Sequence, residues 1–149
     1  MADFDALKSD IKLSEWEYGA EISYDGNGDL ESISEEFNLA QAILHRFRTG
    51  RGELSDIGFP KYGSDIYDVI GEPNNTITKN KLSNILRETL TQETRVKEIV
   101  SIFIIDSKNC PDIIDSKNCP DIVCVEIAVI PINRNEPIKI SFSLNLDVI

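Results

Sequence analysis

The hydrophobic pattern of this chain changes period along its length, from helical in the middle to alternating near the end. From Ser34 onward, Phe37, Ala40, Leu44 and Phe47 recur at helical spacing, and Leu39 and Ile43 widen that face. This predicts an amphipathic helix that stops at Gly50-Arg51-Gly52, with Ser32 and Glu35 at capping-box spacing ahead of it. A short helix is expected from Asp65 to Ile70, capped by Ser64 and ended by Gly71 and Pro73. Thr78 is positioned to cap a further helix whose face is Leu82, Ile85, Leu86 and Leu90 and whose end falls near Gln92.

From Val96 onward the residues favour strands. Val96 to Ile105 carries apolar side chains on both faces, which predicts a central strand. Ile122 to Ile130 reads similarly, with Glu126 as its only charge, and Asn133-Arg134-Asn135-Glu136 makes a turn. The final segment alternates, Ile138, Ile140, Phe142, Leu144 and Leu146 on one face and Lys139, Ser141, Ser143 and Asn145 on the other. One face of that last strand is expected to pack and the other to stay wet. Upstream, Ile22-Ser23-Tyr24 and Leu30 flank Asp25-Gly26-Asn27-Gly28-Asp29, a short hairpin whose Asn-Gly pair supplies the positive φ angles of its turn. The fold expected is α+β: an N-terminal hairpin and helices followed by a C-terminal antiparallel sheet of about three strands.

Composition narrows the possible functions. The 149 residues and 41% apolar content suit a single core, taken here as one domain over 22–149 behind an acidic arm at 1–21. That arm holds Leu7, Ile11, Leu13, Trp16 and Tyr18 among charges, a pattern for a loose amphipathic turn or an arm docked on a partner. The 26 acidic against 15 basic residues give a formal charge of −11, which disfavours nucleic acid and anionic membranes as partners. No segment approaches the roughly 20 apolar residues of a membrane span, and the acidic start does not read as a secretory signal, so assembly in the cytoplasm is expected.

Candidate chemistry is sparse. Cys110, Cys119 and Cys124 are odd in number and read as reduced thiols, and with His45 far upstream they make no zinc set. Asp25, Asn27, Asp29 and Glu36 fall at calcium-loop positions 1, 3, 5 and 12, but Leu30 occupies the position that needs glycine. No metal or cofactor is expected. The string Ile-Ile-Asp-Ser-Lys-Asn-Cys-Pro-Asp stands at 104–112 and again at 113–121, too short a repeat for a solenoid, and lengthens the connection between two strands.

Several landmarks recur in a particular order: Asp25-Gly26-Asn27-Gly28, Asn38-Leu39-Ala40-Gln41-Ala42-Ile43, Arg48-Thr49-Gly50-Arg51-Gly52-Glu53, Tyr62-Gly63, then Glu93-Thr94-Arg95-Val96. Together, over roughly residues 22 to 147, they resemble the wedge subunit of contractile-tail baseplates, the phage sheath-initiator family sometimes labelled lysozyme-like. Thr94 replaces the proline of that family's Glu-Pro-Arg motif and so lacks its fixed φ. The resemblance implies a structural, non-enzymatic subunit in six copies, in a phage tail baseplate, a type VI secretion system or an extracellular injection particle. Its expected partners are the larger wedge proteins, the sheath subunit and tube or spike/hub proteins.

On this reading Glu93, Thr94 and Arg95 form a wedge interface. Ile138, Ile140, Phe142, Leu144 and Leu146 mark the strand that templates sheath by β-augmentation. Without the resemblance, Glu93 and Arg95 read as a surface ion pair. Two other functions compete: a lysozyme-like glycoside hydrolase and an unrelated acidic adaptor. A hydrolase needs two carboxyl groups about 5 to 9 Å apart in a sugar cleft. Glu35 with Glu36, or Glu53 with Asp56, supply carboxyls but no cleft, and paired acids at a helix start suit its dipole.

Overall fold

The computed structural model describes residues 7–16, 19–109 and 120–147. Its core is a three-stranded antiparallel sheet, β5 (Val96–Asp106), β6 (Ile122–Pro131) and β7 (Ile138–Asn145), in that spatial order. Two helices contribute to the same core, α1 (Glu35–Arg48) and α2 (Thr76–Thr91). The α+β class and the three-stranded C-terminal sheet are as expected.

Alternation along β6 explains its place in the middle. Val123, Val125, Ile127 and Val129 are fully buried and meet Leu82, Leu86 and Leu90 of α2 and Leu39, Ile43 and Phe47 of α1 in one cluster. The β6–β7 register runs unbroken from Ile122 opposite Asn145 to Val129 opposite Ile138. Ile140 and Leu146 are buried, while Ile138, Phe142 and Leu144 pack against the cluster from its margin. Phe142 also meets the Phe47 ring at 5.5 Å between centroids. The turn into β7 uses Asn133 at a φ of 61°, a conformation asparagine tolerates.

Several local expectations are corrected. Val96–Asp106 is an edge strand and not the central one: Val100 and Phe103 are exposed, so its two-sided apolar character does not reflect burial on both faces. On α1 the buried apolar line is Leu39, Ile43 and Phe47, and Phe37 is 68% exposed. Its N-cap is Ser34 with no side-chain cap bond, so the Ser32–Glu35 capping box does not form. Asn75, not Thr78, caps α2, and its side chain accepts from the Thr78 amide at 2.9 Å. Ile66–Val69 is a single 3-10 turn, and Ser64 does not cap it but donates to the Phe47 carbonyl at 2.8 Å.

Cys124, on β6, is disulfide-bonded and not a reduced thiol; clustering in sequence does not keep cysteines from pairing. In the duplicated string, the first copy finishes β5 and forms a turn at Ser107–Asn109, and 110–119 lie outside the described residues.

The N-terminal part folds as a ribbon beside α1. β1 (Ser9–Ile11) pairs antiparallel with β4 (Ser32–Ser34), and β2 (Leu13–Trp16) with β3 (Gly19–Ile22). Lys12, between β1 and β2, donates its amide to Glu31 and accepts from Ser23, so the 23–31 hairpin springs from the same strand edge. Tyr24 pairs with Leu30 and closes that hairpin where the sequence suggests. Of the Asn-Gly pair only Gly28 has positive φ. Asp25 supplies the rest of the turn by accepting from the amides of Asn27 and Asp29 at 2.8 and 3.0 Å.

Candidate interaction site

The helix-to-strand junction between α2 and β5 holds a cluster of charge. Glu93, 5% exposed, accepts from Arg95 Nε at 2.8 Å, from Arg95 Nη2 at 3.2 Å and from the Arg95 amide at 3.3 Å. Arg46 of α1 adds Nη2 at 3.3 Å to Glu93 Oε2, the oxygen that Arg95 Nη2 also meets, and its guanidinium lies 4.4 Å over the Tyr62 ring. The remaining fork of Arg95 reaches the Leu7 carbonyl at 3.4 Å, which also accepts from Asn38 Nδ2 at 2.9 Å. Burial by itself would raise the Glu93 carboxyl, but the Arg95 hydrogen bonds and charge, with the charge of Arg46, outweigh it and hold Glu93 below its ordinary range.

This cluster joins α1, the start of β5, the loop bearing Tyr62 and the chain at Leu7. The Glu93–Arg95 pair is therefore a buried internal tie and not a surface ion pair. Thr94, between them, is exposed.

The landmarks at 48–53 and Tyr62-Gly63 are structural supports for the same region. Gly50 and Ser64 form a parallel bridge that closes the loop between them, fixed by Arg51 N to Ser64 O at 3.1 Å and Ser64 N to Thr49 O at 2.9 Å. Glu53 accepts from the Gly50 amide at 2.8 Å. Gly63 has a φ of 107°, and a Cβ there would lie 2.6 Å from the carbonyls of both Gly50 and Thr49. Only glycine fits that crossing.

The sheet offers two edges. β5 carries register shifts between Val96 and Glu98 and between Ile99 and Ser101, with Lys97 and Glu98 exposed, devices that discourage strand addition. β7 has no bulge and pairs only with β6 among the described strands. Ile138, Ile140, Phe142, Leu144 and Leu146 all lie on the core side of this strand and its extension, so what an incoming chain would meet is the β7 backbone.

Asn38 and Gln41 were missed by hydrophobic patterning. Both are buried, and Gln41 accepts from the Leu13 amide and donates to the Ile11 carbonyl, both at 3.0 Å. Their spacing of three on one helix, next to an apolar face, is a weak signal for a polar seam. Among the described residues no group of three or more His, Cys, Asp or Glu could hold a metal, and no helix is long and apolar enough to cross a membrane.

Residues 10–109 match the family model for the contractile injection system sheath initiator. The chain belongs to that family. Sheath initiators are structural components of contractile tails and baseplates, and membership associates this one with baseplate and sheath components. A crystal structure from Geobacter sulfurreducens, of a protein called a tail lysozyme, superposes with a TM-score of 0.57 at 21% identity, covering 72% of this chain and 87% of that one. At that identity the likeness is one of fold. No curated protein matches the chain.

Proposed function

We propose that this sheath initiator packs with the larger wedge proteins of a baseplate and seeds the first sheath ring by offering β7 as a template strand. One observation carries this reading: β7 is a regular, unbulged edge strand anchored from behind by Ile138, Ile140, Phe142, Leu144 and Leu146. A rigid row of backbone donors and acceptors is what an added strand requires. The wedge contact falls over Thr94 and the rim of Arg95, where the Glu93 network fixes the surface without leaving a free charge. Six copies would then ring a tube, spike or hub protein, with assembly in the cytoplasm.

No catalysis is part of this role. Glu35 and Glu36 are both tied to Arg134, at 3.1 and 3.2 Å, which favours a charge clamp over a hydrolytic pair. The acidic arm at 1–21 contributes β1, β2 and part of β3 to the ribbon, so a partner would meet it as ordered strand over those residues.

A cryo-EM reconstruction of the assembled base tests the proposal. It should show six copies, each with a sheath-derived strand hydrogen-bonded along residues 138–145. A β7 edge open to solvent in assembled particles would refute it.

A further inference from the structure

The N-terminal ribbon has two unlike faces. On one, the Lys12 ammonium pairs with Glu31 at 2.8 Å, and the hydroxyls of Ser14 and Ser23 bond each other. Strand alternation and the Leu13–Ile22 and Tyr24–Leu30 pairings put Ile11, Leu13, Ile22, Tyr24 and Leu30 together on the other. An apolar ribbon face normally turns to a core. This one turns to solvent: Ile11 is 41% exposed, Ile22 46%, Tyr24 64% and Leu30 53%. The ribbon is nevertheless held in place, because Gln41 binds its strand from the far edge and Asp25 locks its tip.

We infer that this apolar face docks a different protein, through an apolar strip bordered by lysine or arginine side chains. Charge selects the occupant. The exposed carboxylates of Asp25 and Asp29 stand at the end of the strip in a molecule of formal charge −11. A second copy would bring the same acidic tip and the same net charge to the contact, and like charges oppose that pairing. A basic-rimmed partner is drawn to the tip and covers a preformed apolar surface with little ordering cost. The ribbon belongs to different sheets from β7, so this surface does not depend on the templating role.

The test places p-benzoylphenylalanine at position 24, in place of Tyr24, and separately at position 14, in place of Ser14. Particles from producing cells are irradiated and the adducts mapped by mass spectrometry. Position 24 should cross-link to another structural protein at an apolar segment next to Lys or Arg, and position 14 should not. The pair Ile22→Ser and Leu30→Ser should reduce incorporation into particles at least tenfold while circular dichroism and the melting curve stay close to those of the parent. Adducts only between two copies of this chain, adducts to a segment without basic residues, or no adduct at position 24 would overturn the inference. So would normal incorporation of the double variant; if that variant does not fold, the cross-linking result decides.

Discussion

Glu93 sits almost out of contact with water, where burial favours a neutral carboxyl, yet two guanidinium groups hold it ionised. Truncating Arg95 leaves that carboxylate with Arg46 as its one guanidinium, beside the backbone amide at 95, and takes a donor from the Leu7 carbonyl. Arg95→Ala should therefore cost about 2–4 kcal/mol in urea unfolding, well above a surface pair. Because the folded carboxyl lies below the ordinary carboxylate range, its contribution is present above that range and is lost as pH falls through the folded pKa. Glu93→Gln should flatten the loss of stability in that acidic window, measured as melting temperature against pH. Gly63 gives a second prediction at this scale. Gly63→Ala forces a Cβ against two carbonyls at positive φ and should destabilise the fold by about 3 kcal/mol or more, read from the same unfolding curves.

Between elements, the association of ribbon and helix is made by amide side chains standing in for a neighbouring strand. Gln41→Ala removes two hydrogen bonds from the Ile11–Leu13 edge, each worth about 1 kcal/mol. Exchange of the Leu13 amide should quicken by about tenfold or more, with the α2 and β6 amides unchanged. Such seams are hard to see in sequence, because Asn38 and Gln41 look like the polar side of an amphipathic helix. Leu82, Leu86 and Leu90 on α2, and the buried valines of β6, were legible for the opposite reason: burial follows their period directly. The edge position of β5 is not legible in the sequence, because Val100 and Phe103 are apolar without being buried, and periodicity reports hydrophobicity, not position in the sheet. The node at Glu93 and Arg95 was legible as a pair but not as a buried one, since Arg46, its third member, comes from a helix far away in sequence.

Across the whole molecule, one cluster of helices and sheet supports two surfaces with different character. The β7 edge presents backbone, and the ribbon presents an apolar face with an acidic tip. The bulges on β5 make the sheet asymmetric in use: one edge discourages pairing while the other is regular along its length. Hydrogen exchange resolved by mass spectrometry, on the free chain and on the chain bound to sheath subunits, tests this asymmetry most directly. Templating predicts that peptides covering 138–145 gain protection of at least tenfold on sheath binding while those covering 96–101 do not change. Protection gained along β5, or none gained at β7 in a complex that has formed, would contradict it.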